Sequence, residues 1–525
     1  MSGTYPTSKD EPTLVDRSDN APIGVDYNRG ANYVNKDTND IVPTSQTETK
    51  PPTPPPASTD TPKFDGNEHT SSSSIESSTP DAPAVPDIEP ESTSDIDPVP
   101  DVDLVPDVDP VPDVDPVPDV DTEPDVAPEP DVDIEPDVDI DIDLGGGIIG
   151  CTTAYFLTRH PLYKPDRDSI TLLEATKIAG GASGKAGGLL ALWAYPGAIV
   201  PLSFRLHEEL AREHGGSERW GYRRVHAGQL SAVGRGKGWK KGEGISLEKR
   251  KNEAVAEGRL RAARIPSGLD WFDAGCLRGY SEMGDPGTTA QVHPYQFTTA
   301  MAELAAEKGL KIVIGKVGEI GQENGEVRSV TYTSAEGETK SLSATDVVIA
   351  AGPWTKSVYP TAPISALRAH SVTIRPSKPI SAFAIFTEIR LGGTTVSPEI
   401  YARPNDEAYC CGEGDTLVEL PAISADVKID PKRCQDIIDH VGSISDELRD
   451  GEVLVRQACY LPNVEGPASG PLIGPTGVKG LFMAAGHTCW GIQNGPGTGK
   501  LMSEFIFDGK ATSAKVRSLD PRNVL

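Results

Sequence analysis

The sequence predicts an α/β chain: a doubly wound, mostly parallel sheet interrupted by an insertion and preceded by a disordered acidic tail. Three observations predict it. Composition changes abruptly near residue 144, a glycine-rich turn of nucleotide-binding type follows at once, and strand–turn segments far downstream return to the same kind of sheet.

The tail comes first. Residues 1–144 hold 36 of the 78 acidic residues but only 6 of the 49 basic ones, so the net charge of -29 belongs to this stretch. The remainder is close to neutral and gives no electrostatic reason to expect nucleic-acid binding. Few aromatics and many Pro, Ser, Thr and Asp leave residues 1–139 too little apolar surface to offset ordering entropy, which predicts disorder. From 97 to 139 the chain repeats DPVPDV-like units. Self-repulsion and the fixed φ of Pro favour an extended, solvated tract there, with a Ca²⁺-binding or spacer tract as the alternative.

The remaining residues suffice for two domains sharing a boundary. Seven cysteines, odd in number and without a C-x-x-C pair, argue against a disulfide framework or a zinc site and for a reducing compartment. No metal site is expected. The N-terminus lacks a basic, then apolar, leader, and the most apolar stretch, 187–204, is broken by Pro196, Gly197 and Pro201. A cytoplasmic protein without a membrane span is the expectation.

GGGIIG at 145–150 fits G-x-G-x-x-G through Gly145, Gly147 and Gly150, with Ile148 and Ile149 opening a helix. The first glycine makes the tight turn, the second lets backbone approach a pyrophosphate, and the third lets helix and sheet pack closely. SITLLEA (169–175) reads as the next strand and ends at Glu174, 24 residues past Gly150, where a carboxylate can accept ribose hydroxyls. One feature fits badly. Asp139, Asp141 and Asp143 alternate with Ile140, Ile142 and Leu144 in what should be a central strand buried on both faces. Buried unpaired charge is expensive, so this strand should fray, or belong to an N-terminus foreign to the fold.

A second small-residue loop, AGGASGKAGGLL (179–190), offers Ala182, Ser183, Gly187, Gly188 and Leu189 to a large flat ligand. A nicotinamide enzyme has no evident need of it, so FAD is the favoured cofactor. KIVIGKVGEI (311–320), containing Val317, and TDVVIAAGPWT (345–355), containing Ala351, Gly352 and Trp354, read as strands of a nucleotide domain resumed after an insertion. In GLFMAAGHTCWGIQNGPGTGKLMSEFIFDG (480–509), Gly486 and Gly491 flank a polar loop. GPGTGK is not a phosphate loop, since Asn494 and Leu501 stand where Gly and Ser/Thr would be required. A helix starting near Gly497, with Thr498 and Gly499, would turn its positive end towards reduced flavin.

These motifs, with QVHPYQF (291–297), occur in the order found in the D-amino-acid oxidase, glycine oxidase and sarcosine oxidase superfamily. The chain resembles that superfamily from about 144 to its end, most nearly its fungal, cytoplasmic or endosome-associated branch. The resemblance implies a Rossmann-like FAD-binding domain in three segments (140–235, 291–364, 463–525), interleaved with an antiparallel-sheet α+β substrate domain in two (236–290, with an insertion, and 365–462). It implies oxidation of a C–N bond of a small amine or amino acid by hydride transfer to flavin, with O₂ as acceptor. A dehydrogenase using another acceptor and a catalytically impaired flavin-binding scaffold in endosomal trafficking are the alternatives. Members that oxidise amino acids carry an Arg before Pro as a carboxylate clamp, but Leu461 holds that position here. Arg456, Arg368 and Tyr460 are the substitutes considered. His487 is the His expected to touch cofactor or substrate, with His293 and Trp490 behind it. Cys459 matches the position of covalent flavin attachment in sarcosine oxidases, although a noncovalent cofactor is favoured. The basic runs at 235–241 and 248–251 read as a surface insertion, or as a docking patch for an acidic partner.

Overall fold

The structure, a computed structural model, describes residues 140–236, 249–466 and 470–525, with the side chains of 140 and 249–255 left aside. The acidic tail, and the basic runs apart from 235–236 and the backbone of 249–251, lie outside these residues.

The first sheet has eight strands in the order Thr339–Ser343, Glu326–Ser334, Lys311–Glu323, Ser169–Glu174, Ile140–Leu144, Asp346–Ile349, Leu481–Ala485, Leu472–Pro475. From Lys311–Glu323 to Leu481–Ala485 all neighbours are parallel. Ile140–Leu144 does not fray. It pairs residue for residue with Ser169–Glu174 on one side and from Asp141 with Asp346–Ile349 on the other. Its alternation is resolved by face. Ile142 and Leu144 join one apolar layer with Leu173, Val347 and Ile349. Asp141 and Asp143 point to the opposite layer, where Ile170, Leu172 and Val348 pack under the helices. Asp143 is 1% exposed and neither carboxylate oxygen has a hydrogen-bond partner.

Two helices cover that second layer and pack on each other: the opening helix Ile148–Leu157 and the C-terminal helix Gly491–Phe507. Their approach is close because side chains are missing. A Cβ on Gly495 would lie 2.7 Å from the Ile148 side chain, and one on Gly499 within 2.5 Å of the Thr152 backbone. Pro496 lies inside the C-terminal helix and cannot donate to the Ile492 carbonyl. His207, on the neighbouring helix Val200–His214, supplies the missing donor from Nε2 at 2.9 Å.

The second sheet runs Glu452–Val464, Ile364–Arg375, Glu407–Cys411, Glu399–Arg403, Phe383–Leu391, His226–Val233, Leu277–Gly284. His226–Val233, assigned from sequence to the first nucleotide-binding segment, belongs here instead, parallel to Phe383–Leu391. One face carries Val372, Ile374, Ile385, Ile400 and Cys410 against the helix Pro431–Gly442. The other carries Phe386, Tyr401 and Tyr409 towards the 187–193 segment, where Leu189 and Trp193 meet them. A small third sheet, Leu189–Ala191, Thr289–Gln291 and Arg223–Arg224, lies along that segment. Among the described residues no helix is long and apolar enough to cross a membrane.

Candidate functional site

A cleft lies at the carboxyl ends of the parallel strands, where ligands of doubly wound sheets bind. Gly145, Gly147, Ile148, Ile149 and Glu174 border it. Gly145 has φ of +135°, and a Cβ there would meet the Ala350 carbonyl at 2.5 Å, so the turn requires glycine. Gly147 caps the opening helix without a side chain, and the first helical N–H, that of Ile148, donates to Ser183 Oγ at 2.9 Å. Glu174 accepts from Gly146 N and Thr176 N, both at 2.8 Å, which fixes its carboxylate at the mouth of the turn.

Ala182, Ser183, Val317, Ala351, Gly352, Trp354, Gly486 and Gly491 also border the cleft. Six other expected contacts act elsewhere. Gly150 supports the turn, since a Cβ would lie 2.0 Å from the Gly145 carbonyl. Gly187 leaves room for the Tyr401 ring, and Gly188, at φ of +91°, for the Val292 carbonyl. Leu189 is part of the core beneath Tyr401. Gly497 faces Ser203 and Gly499 faces Thr152, both in helix–helix contacts. The C-terminal helix begins at Gly491, not near Gly497, so its positive end is offered by Gly491 and Ile492. Thr498 lies in its second turn, where its hydroxyl pairs with His487 Nε2 at 2.9 Å.

His487 borders the cleft, and burial pushes its pKa down to about 3, so the ring is neutral. His293 caps the helix Pro294–Ala306. The remaining candidates lie on the strand Glu452–Val464 or beside it. Leu461 and Pro462 border the cleft. Tyr460 and Arg456 of the same strand do not. Arg456 is exposed beside Gln435, and the Tyr460 hydroxyl donates to the carbonyls of Val418 and Glu419. The structure therefore brings neither to the cleft. Arg368 is buried in a two-pronged pair with Asp415, which lies below the usual carboxylate range against burial because Arg368 and Arg433 surround it. Lys185 is turned to the Ala458 carbonyl at 2.9 Å. Cys459 is 8% exposed and does not border the cleft; burial pushes its thiol up to about 11, with Lys185 opposing.

Sequence reasoning missed the segment Ala422–Ser424, which closes one end of the cleft. Ser424 Oγ lies 2.7 Å from Thr176 Oγ1, and Trp354 Nε1 donates to the Pro421 carbonyl. It missed Thr488 and Cys489 at the other end, although both fall within the AAGHTCWG motif.

The family description "FAD dependent oxidoreductase" matches residues 144–505. The chain belongs to that family. Over 492 residues it is 37% identical to "Putative oxidoreductase TDA3" of Saccharomyces cerevisiae, covering 72% of this chain and 93% of the relative. It is also 37% identical to "Putative oxidoreductase C1F5.03c" of Schizosaccharomyces pombe, covering 73% of this chain and 97% of the relative. The fold is shared with the glycine oxidase of Bacillus cereus (20% identity, TM-score 0.54, 71% of this chain and 96% of that one). It is shared too with the L-proline dehydrogenase of P. horikoshii (20%, TM-score 0.53, 74% and 98%).

The residues present fit the family's cofactor. The bare glycine turn and free helix start suit the pyrophosphate, Glu174 suits the ribose, and the Gly491 end suits a group that gains negative charge.

Proposed function

We propose that this protein oxidises a C–N bond of a small amine or amino acid, using noncovalently held FAD and O₂ as acceptor. The carrying observation is the course of the cleft. It runs from Glu174, past the glycine turn, to Thr488 and Cys489, where the 193–195 segment and the second sheet adjoin it. Glycine oxidase and L-proline dehydrogenase, whose names specify amino-acid substrates, share the fold and support the reaction class. FAD, when bound, supplies the two-electron acceptor. The chain's own groups then position and shield. Gly491 and Ile492 set the start of the C-terminal helix at the cleft, and Thr498 holds the neutral His487 ring against the cleft wall. The buried Cys459 favours noncovalent binding. All seven cysteines are free, in keeping with a cytoplasmic setting.

One observation favours a second reading, a catalytically impaired flavin-binding scaffold: the unpartnered Asp143 carboxyl directly beneath the glycine turn. The test takes the full-length protein through two steps. Its flavin absorbance is recorded before and after acid precipitation, and the bound flavin is then exposed anaerobically to a panel of amines and amino acids. Release into the supernatant and bleaching by a panel member, with H₂O₂ formed on admitting air, are expected. Flavin left in the pellet would overturn noncovalent binding. A flavin that no substrate reduces would leave the scaffold reading.

A further inference from the structure

The connection between the strand Glu407–Cys411 and the helix Pro431–Gly442 starts and ends on the second sheet, yet its middle reaches the cleft. Both ends are fastened to the second sheet. Asp415 N donates to the Arg368 carbonyl at 2.7 Å and Arg368 N to the Asp415 carbonyl at 2.9 Å, while their side chains form the buried pair. The Tyr460 hydroxyl holds the carbonyls of Val418 and Glu419, both at 2.9 Å. On the far side, Arg368 Nη1 donates to the Lys428 carbonyl at 3.2 Å, and Asp430 N to His370 Nε2 at 3.0 Å.

The tip, Pro421–Ser424, is held differently. Two side-chain hydrogen bonds join it to groups that follow strands of the first sheet. Trp354 Nε1 donates to the Pro421 carbonyl at 2.6 Å, and Ser424 Oγ lies 2.7 Å from Thr176 Oγ1. The Thr176 hydroxyl has one proton and gives it to Glu174 Oε1 at 2.9 Å, so Ser424 is the donor to Thr176. Ser424 thus completes a relay onto the carboxylate that suits the ribose. Gly180 leaves room for the contact, since a Cβ there would lie 3.0 Å from Ser424 Oγ.

We propose that the 415–430 connection is a strap that closes over the adenosine end of FAD, and that the opening of its tip sets how fast the cofactor enters and leaves. Parting two hydrogen bonds frees the tip, while the ion pair and the backbone bonds at its roots stay made. The proposal rests on the noncovalent reading of the cofactor and is independent of the substrate. The groups that hold the tip belong to the protein, so the hold exists with or without the cofactor. Weakening it therefore speeds entry and release together and leaves affinity nearly constant. An ordinary ligand contact behaves otherwise, because its loss falls on release and affinity alone.

The test follows FAD exchange in the full-length protein by stopped-flow flavin fluorescence, on mixing FAD-stripped protein with FAD and on diluting loaded protein. Ser424→Ala removes one hold on the tip. Both rate constants should rise about ten-fold, the effect of one hydrogen bond, with the dissociation constant moving by less than about three-fold. Unchanged rates, or faster release matched by an equal loss of affinity, would overturn the strap. The opposite perturbation combines Thr176→Cys with Ser424→Cys, placing two sulfurs where oxygens now stand 2.7 Å apart, close enough to bridge. Oxidised with diamide, the loaded variant should hold FAD at least ten-fold longer than the same protein reduced with dithiothreitol, which serves as its own folding control. Equal release from the two forms, with the bridge confirmed by mass spectrometry, would also overturn the proposal. Flavin retained in an acid pellet would overturn the noncovalent reading and the strap with it. Flavin that comes free in acid, yet exchanges at the parent rate in Ser424→Ala, would overturn the strap alone.

Discussion

Replacing Asp143 by Val should stabilise the protein, and the structure indicates by how much. The residue lies between Leu172 and Val348, its partners on either side in the sheet, both at 1% exposure or less, in a layer otherwise built from apolar side chains. Burial alone raises its pKa well above the ordinary value. The carboxyl is thus best tolerated as the neutral acid, yet even that leaves buried polar atoms without partners, a cost of about 1–3 kcal/mol. Valine removes this cost and adds favourable burial, for a combined gain of about 3 kcal/mol after imperfect repacking. At about 2 °C per kcal/mol for a body of this size, the melting temperature should rise by about 6 °C. The sign of the pH dependence follows from the raised pKa. Between the unfolded value of about 3.9 and the raised folded value, the native state holds the proton more tightly, so stability falls as pH rises through that window. The gap between Asp143→Val and the parent should therefore be smallest near pH 4 and widen with pH. Asp143→Asn should remove the pH dependence but recover less stability, because its amide is still unsatisfied. The assay is thermal unfolding at several pH values. A Val variant that melts no higher than the parent, or a gap that ignores pH, would refute the reasoning.

Four further outcomes are expected. Glu174→Ala removes the carboxylate that fixes the Gly146 and Thr176 amides, and should weaken FAD binding about 10- to 100-fold, at 1.5–3 kcal/mol for hydrogen bonds to a charged group, as read by flavin fluorescence titration. Gly499→Ala forces a methyl to within 2.5 Å of the Thr152 backbone and should cost about 3 kcal/mol in denaturant unfolding, whereas Gly279→Ala, with nothing within 4 Å, should be nearly neutral. His207→Phe keeps the ring but abandons the Ile492 carbonyl, and should lower stability by about 1–3 kcal/mol. His487, with its pKa pushed down to about 3, is neutral throughout the working range, so His487→Asn should alter rates without shifting any kinetic pKa between pH 5 and 9; loss of such an ionisation would show the ring to be a proton carrier.

The cofactor half of the site was legible because its signals are local. A glycine turn, a carboxylate at a strand end and AAGPW each owe their form to backbone held against a ligand or a neighbouring turn, and each is contiguous. The C-terminal helix was misread for the opposite reason. Its glycines and Pro496 weaken the helix by propensity, and only two neighbouring helices, with the His207 donor, make those residues acceptable. Arg456 and Tyr460 are drawn away by partners remote in sequence, Gln435 for the one and the Val418 and Glu419 carbonyls for the other, which nothing near them in the chain announces. Ala422–Ser424 carries no comparable signal; it is a connection brought to the cleft by Trp354 and Thr176.

The contact between the opening helix and the C-terminal helix also sets an order of events during synthesis. A ribosome delivers Ile148–Leu157 more than three hundred residues before Gly491–Phe507 emerges to cover it. Throughout that interval an apolar helix face stays bare, and the strand Leu481–Ala485 is missing from its place between Asp346–Ile349 and Leu472–Pro475. The site cannot be loaded while the chain is still being made. A premature stop before residue 491 would therefore leave the opening helix uncovered and the cleft without its Gly491 and Ile492 wall, however complete the substrate domain.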